Sequence, residues 1–188
     1  RIAVTYAAYD LSSNGGSALS SLEYSLDAGS TWVSAGTLAT TFTILGLTNG
    51  VTYAVILRAI NAIGTSASSS SQSVTPASVS SSPRLVTATR GQAKTTVSWS
   101  APSATGGSAI TGYTASAYTV STDGTAVATC TTTNLTCEIT GLANGTTYYV
   151  GVIASNGIGN SVESSPRVTT VPAAAPGAPT ISSVTVGN

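Results

Sequence analysis

Leu142-Ala143-Asn144-Gly145-Thr146-Thr147-Tyr148, followed by Val150, Val152, Ala154 and Asn156, is the stretch that decides how this chain folds. Asn-Gly is a dipeptide that a tight corner demands, because both residues tolerate a left-handed backbone. Beyond the corner every second residue is apolar, which places Tyr148, Val150, Val152 and Ala154 on one face of a strand. The pattern occurs twice. Leu47-Thr48-Asn49-Gly50-Val51-Thr52-Tyr53, then Val55, Leu57, Ala59 and Asn61, stands 95 positions earlier. Asn61-Ala62-Ile63-Gly64 returns at the same shift as Asn156-Gly157-Ile158-Gly159, and Gly15-Gly16-Ser17-Ala18 returns as Gly106-Gly107-Ser108-Ala109. A period of this length is a whole domain, not a solenoid turn of about 20–50 residues.

The frame of the repeat is offset from the ends of the sequence. Arg1-Ile2-Ala3-Val4-Thr5-Tyr6 aligns with Lys94-Thr95-Thr96-Val97-Ser98-Trp99, a shift of 93, and Pro179 to Asn188 aligns with Pro83 to Gln92, a shift of 96. The expected organisation is a module over 1–75 lacking its first strand and a complete module over 76–172. A linker and the first strand of a third module follow over 173–188, with the strand at Ala178 to Val186. Two explanations of the missing strand stand side by side: covalent continuation of a longer repeat polypeptide, or a strand donated by another copy.

Composition narrows the function classes. Hydrophobic residues make up 41% of the chain, enough for packed cores. Charged residues are only 6%, and six basic residues balance six acidic ones. A neutral chain without clustered Lys and Arg has no counterion-release term for nucleic acid and no electrostatic hold on an anionic membrane. The longest aliphatic run, Ala54-Val55-Ile56-Leu57, has the length of a buried strand and falls far short of a membrane span. Ser, Thr, Asn and Gly supply the solubility, as in Ser66 to Ser73. There is no His, so the usual proton shuttle near neutral pH and the commonest metal ligand are missing.

Helical periodicity is weak, whereas short alternating runs rich in Val, Ile, Thr and Tyr recur about every ten residues between Gly, Asn and Pro. The second module reads as strands at Arg84 to Thr89, Thr95 to Trp99, Ile110 to Val120, Thr125 to Cys130, Thr136 to Thr140, Thr147 to Ser155 and near Arg167 to Val171. This order of seven strands, with Trp99 on the second, Tyr113 on the third and the Leu142 to Tyr148 corner, resembles the fibronectin type III domain. The resemblance implies an all-β chain of tandem immunoglobulin-like, seven-stranded β-sandwiches. It also implies a tyrosine corner at Leu142 and Tyr148, and at Leu47 and Tyr53, in which the phenol oxygen bonds back to upstream backbone. The first module departs from the pattern. Tyr6 replaces Trp99, and Leu22 to Trp32 is similar to the "YSxDGGxTW" turn of bacterial surface repeats. The core aromatics expected on this reading are Tyr6, Trp32, Trp99 and Tyr113. The likeness extends to extracellular repeat proteins of an actinobacterial type.

Few residues could carry chemistry. Cys130 and Cys137 flank a polar turn; if adjacent strands pair around it, the sulfurs face each other and bridge. The alternatives are two free thiols or a redox pair, but the spacing is too long for Cys-x-x-Cys, and no His completes a zinc site. A disulfide implies an oxidising compartment. The acids Asp10, Glu23, Asp27, Asp123, Glu138 and Glu163 show no Asp-x-Asp spacing for calcium, and two of them sit at turns. No metal or cofactor site is expected, and no catalytic residue. Ile56 and Ile60 in the first module, with Tyr149 and Ile153 in the second, stand opposite the core face and are a candidate contact strip. The expected role is a structural or adhesive repeat region of a secreted or cell-surface protein, a spacer or a building block of an extracellular fibre. Its partners would be further fibronectin type III modules end to end, with cell-surface glycans or proteins as candidates. The second expectation is an accessory region of a carbohydrate-active enzyme, or a carbohydrate-binding module, for which Tyr9, Tyr118 and Tyr149 are the available aromatics.

Overall fold

β-Branched and aromatic residues in short alternating runs, punctuated by Gly and Asn, give strands and turns and no helix among the described residues, which in this computed structural model are 1–8, 13–185 and 187. Tyr9, Asp10, Val186 and Asn188 of the readings above lie outside them. The chain divides into two compact units, Arg1–Ser78 with Gly106–Ser108, and Val79–Thr105 with Ala109–Asn188.

The first unit holds β1 (Ile2–Thr5), β2 (Leu19–Ser25), β3 (Val33–Ser34), β4 (Thr41–Ile44), β5 (Tyr53–Asn61) and β6 (Gln72–Val74). Two antiparallel sheets result, β1-β4 and β3-β2-β5-β6. The second unit holds β7 (Arg84–Gly91), β8 (Lys94–Ser100), β9 (Ile110–Tyr118), β10 (Ala128–Thr132), β11 (Thr136–Thr140), β12 (Tyr148–Asn156), β13 (Gly159–Asn160) and β14 (Val168–Thr170). Its sheets are β11-β8-β7 and β10-β9-β12, with β13 and β14 both paired to β12. Matched by the repeat, β1 corresponds to β8 and β5 to β12. Nothing among the described residues of the first unit corresponds to β7.

Alternation puts the core where the sequence places it in the second unit. Val97 and Trp99 from β8, Tyr113 and Ala115 from β9, Ile139 from β11, and Tyr148, Val150, Val152 and Ala154 from β12 are buried together. The Trp99 ring tilts against Tyr113 with centroids 5.4 Å apart, the off-parallel arrangement aromatic quadrupoles favour. In the first unit the buried cluster is Ile2, Ile44 and Val55, with Val4, Tyr24, Phe42, Leu47, Tyr53 and Val74 only partly buried around it.

Both corners form by the same bond. The Tyr148 hydroxyl accepts a hydrogen bond from the Ala143 N–H and that of Tyr53 from the Thr48 N–H, each at 3.0 Å. Tyr148 and Leu142 are buried, whereas Tyr53 and Leu47 are half-buried. The core-aromatic expectation needs correction at two positions. Tyr6 is half-buried at the margin of the first unit and donates its hydroxyl to the Leu38 carbonyl at 2.9 Å. Trp32 lies after the end of β2, on the outer side of the sheet, because the chain turns at Asp27 and does not continue as a strand to Trp32.

Cys130 and Cys137 form a disulfide. The strands that carry them do not pair with each other: β10 pairs with β9, and β11 with β8. The bridge therefore ties one sheet to the other where the chain crosses between them. The segment after β14 is different. Residues 173–185 are exposed and residues 178–185 form no strand, so the strand expected at Ala178 to Val186 is not found over its described residues.

The core packing generates a stability prediction. Trp99→Ala should cost about 3–5 kcal/mol in denaturant unfolding of the second unit, the usual range for a buried aromatic. A loss under about 1 kcal/mol, the centre for arbitrary substitutions, would contradict the packing.

Candidate functional site

The outward faces of β5 and β12 are the natural place to look for a ligand or partner, because apolar residues alternate there with the core. The two units cover these faces by different means. In the first, Ile56 is buried, with Gly29 and Trp32 against it, and the Arg58 guanidinium lies 4.0 Å over the Trp32 ring. Glu23, the cross-strand neighbour of Arg58, holds it at 2.6 Å. Ile56 therefore leaves the contact strip: the turn after β2 folds over it. Ile60, Tyr149 and Ile153 are each partly buried.

In the second unit the position of Ile56 is taken by Gly151. The space a side chain would fill holds Glu163, whose carboxylate lies against the Gly151 backbone and pairs with Arg167 at 3.0 Å. The Arg167 guanidinium sits 3.4 Å over the Tyr118 ring and donates to the carbonyls of Val120 and Asp123. Burial, with a hydrogen bond to Glu163 second, raises the Tyr118 phenol above its ordinary value. Tyr118 and Tyr149 are directly opposed across β9 and β12, a proximity that their distance in sequence hides.

The turn covering Ile56 is built around one carboxylate. Asp27 accepts from the Ser25 hydroxyl at 2.6 Å and from the Thr31 hydroxyl and N–H at 2.6 and 2.9 Å. These bonds favour the charged form, and they hold the Asp27 pKa at about 2 against an ordinary 3.8, the Ser25 bond contributing most. Ala28 and Gly29 both take positive φ, 57° and 93°, which the tight return of the chain requires.

Serines after β5 and β12 do what a paired strand would do. Ser161 and Ser164 each accept a backbone N–H of β12, from Ala154 and Val152, through their hydroxyls at 3.0 Å. Their own N–H groups donate to the same two residues' carbonyls at 2.8 and 2.9 Å. Ser66 and Ser69 repeat this on Ala59 and Leu57 of the first unit. The serine-rich stretch is thus a backbone staple as well as a soluble surface. The signal was in the sequence: Ser66 and Ser69 return as Ser161 and Ser164 at the shift of the corner. Asn61 and Asn156 close the next turn alike, each side-chain oxygen accepting from the N–H groups two and three residues on.

One flank of the first unit is open. β1 is paired on one edge, by β4, whereas its counterpart β8 is paired on both, by β11 and β7. Val97 and Val152 of the second unit are fully buried, while Val4 and Leu57 in the same positions are half-buried. Between β1 and β6 a groove of about 370 Å³ runs along Ile2, Val4, Tyr6, Val55, Leu57 and Val74.

Four of the carboxylates are engaged in structure. Glu23, Glu138 and Glu163 are in ion pairs with Arg58, Lys94 and Arg167, and Asp27 is spent in its turn. Among the described residues no three His, Cys, Asp or Glu side chains gather as a metal site. Asn144 of the corner accepts from the Ala93 N–H at 2.9 Å, a turn role.

The family model of the fibronectin type III domain matches residues 81–171. A Kelch domain-containing protein of Saccharolobus solfataricus is 36% identical over 132 residues, which is 70% of this chain and only 17% of that protein. Among solved structures, a crystal structure of consecutive domains from titin is 21% identical, covers 81% of this chain and 54% of its own, and superimposes with a TM-score of 0.55. The FN1-FN3 domains of chicken CNTN1, 16% identical, cover 92% of this chain and 61% of their own at a TM-score of 0.47. The titin likeness establishes the sandwich fold, in agreement with the all-β sheets described above.

Two predictions arise from the site. Ser164→Ala, which leaves the buried Val152 N–H without its acceptor, should lower the stability of the second unit by about 1–3 kcal/mol. A change within about 0.5 kcal/mol, as for an ordinary surface substitution, would show the staple to be dispensable. Asp27 has a folded pKa below its unfolded one, so its contribution is present above about pH 4 and lost as pH falls towards 2. NMR titration should therefore place its carboxyl near 2, and Asp27→Asn should abolish the acid sensitivity of the Ile56 and Trp32 signals; a titration near 3.8 would refute it.

Proposed function

We propose that this chain, whose residues 81–171 match the family model of the fibronectin type III domain, is a structural, non-catalytic repeat region of a secreted or cell-surface protein, acting as a spacer or as a unit of an extracellular fibre. The observation that carries the reading is that four carboxylates and both cysteines are engaged in holding the sandwich. Glu23, Glu138 and Glu163 sit in ion pairs, Asp27 in a turn, and the two cysteines in a bridge between sheets. The bridge favours an oxidising compartment. The near-absence of charge suits a surface that is not steered by ions. Its partners on this reading are further modules of the same kind, joined end to end, with cell-surface proteins or glycans as secondary candidates.

The second reading is an accessory or carbohydrate-binding region beside a domain of another kind. The Kelch domain-containing relative, most of whose length lies outside the match, favours it, as does the Tyr118–Tyr149 pair. Against a sugar platform stands Arg167, which occupies the Tyr118 face that a pyranose ring would need.

Surface biotinylation of intact producing cells, followed by thiol alkylation before reduction, tests the first reading. The segment should be labelled from outside and Cys130 and Cys137 should resist alkylation. Recovery from the cytoplasm with both thiols free would overturn it. Saturable binding of a soluble polysaccharide, lost in Tyr149→Ala, would replace it with the second.

A further inference from the structure

The turn between β10 and β11 carries a modification site, and we propose that Asn134 is the acceptor of an N-linked oligosaccharide whose first sugars lie against the outer strand β10. The proposal rests on the extracellular reading above, because this modification belongs to surface loops of secreted proteins.

The triplet Asn-x-Ser/Thr, with x other than Pro, is what the transferase reads. It occurs at Asn134-Leu135-Thr136 and at Asn144-Gly145-Thr146, and the structure separates the two. Asn144 belongs to the corner. It returns in the repeat as Asn49, where Val51 stands in the place of Thr146 and the triplet is lost, so backbone geometry alone accounts for it. Its Oδ1 accepts from the Ala93 N–H at 2.9 Å, and the Gly145 N–H donates to the Pro172 carbonyl at 2.8 Å. A secondary amide is trans, which sets the C1 of an attached sugar on the Oδ1 side of the Nδ2 linkage. At Asn144 that is the side of the Ala93 turn, which a sugar would crowd.

Asn134 has none of these ties. It is exposed between the end of β10 at Thr132 and the start of β11 at Thr136. Its N–H donates to the Thr132 hydroxyl at 3.0 Å, and its side-chain amide makes no hydrogen bond among the described residues. A groove of about 410 Å³ lies beside it, lined by Thr111, Thr114, Thr131, Thr133 and Ser155, with Gly112 contributing no side chain. Hydroxyls both donate and accept, as a sugar's own do, and no charged residue lines the groove. β10 is the outermost strand of its sheet. Its free N–H and C=O groups are the row at which sheets join edge to edge, and a sugar rooted at Asn134 covers that row.

In the transfer, Nδ2 of Asn134 forms a bond to C1 of a sugar delivered as a glycosyl phosphate. The C1–O bond breaks with its electron pair passing to the phosphate, and one amide proton goes to a base of the transferase. Ser and Thr share only the hydroxyl, so the Thr136 hydroxyl is the recognition group. In the folded unit it donates to the Val97 carbonyl at 2.9 Å and accepts from the Ser98 hydroxyl at 3.1 Å. Transfer therefore precedes the pairing of β11 with β8.

The test uses protein labelled at the surface of intact producing cells, then reduced, alkylated and cut after Glu138, which places the two triplets on different peptides. Mass measurement with fragmentation that leaves sugars attached should find hexose or N-acetylhexosamine on Asn134 and Asn144 bare. Asn134→Gln should abolish the addition and Thr136→Ser should keep it. Hydrogen exchange at the β10 amides should be slower in the glycosylated protein than in Asn134→Gln; equal exchange would place the sugar clear of the strand and contradict the proposal. Asn134 bare in the labelled fraction, a sugar on Asn144, or one on the Thr131 or Thr133 hydroxyl overturns it while the structural-repeat reading stands. If no fraction is labelled, the extracellular reading itself falls, and the site with it.

Discussion

A sandwich of two sheets has its apolar faces turned inward, but its flanks stay open unless a strand closes them. That constraint organises this chain. In the second unit β7 pairs along β8 and places Val86 and Ala88 over the gap, and Val97 and Val152 behind it are removed from water entirely. In the first unit the same positions, Val4 and Leu57, remain half-buried beside a groove. Burying an aliphatic side chain of this size fully contributes about 1.5–3 kcal/mol, so one strand alters the stability of a small sandwich materially.

The long strands β5 and β12 are the elements on which the rest is assembled. Each begins at a tyrosine whose hydroxyl accepts from the corner's backbone, and each ends at an asparagine that closes the following turn. Along one edge of each, serines exchange hydrogen bonds with its backbone where no ladder continues. Their outer faces are covered by an arginine on an aromatic ring: Arg58 on Trp32 in one unit, Arg167 on Tyr118 in the other. The rings come from unrelated sequence positions, so the same covering arises twice by different routes.

That contrast explains what was legible in the sequence. The alternation of Tyr148, Val150, Val152 and Ala154 and the Asn-Gly corner specify backbone geometry locally, and they placed the strand and its buried face directly. Trp99 and Tyr113 followed from the same periodicity. The errors were non-local. Ile56 alternates like a surface residue, yet a turn held by Asp27 folds back over it. Trp32 extends what reads as a strand, but the positive φ of Ala28 and Gly29 ends the strand first. Cys130 and Cys137 form the expected bridge, but across the crossing from one sheet to the other and not within a hairpin, a matter of topology that spacing does not record. The serine staple was visible only as a repeat of Ser66 and Ser69 at Ser161 and Ser164, because hydroxyl-rich composition resembles linker.

Native-state hydrogen exchange on the dilute chain measures flank closure directly, by comparing β1 and β5 of the first unit with β8 and β12 of the second. Local stability follows the cover over each strand. The Val4 and Leu57 amides should open with protection at least about tenfold below that of Val97 and Val152, the least effect expected from one uncovered aliphatic contact of roughly 1.4 kcal/mol. Equal protection at the two sets of amides would mean that the first unit is already closed without a strand in the place of β7, and would contradict the account.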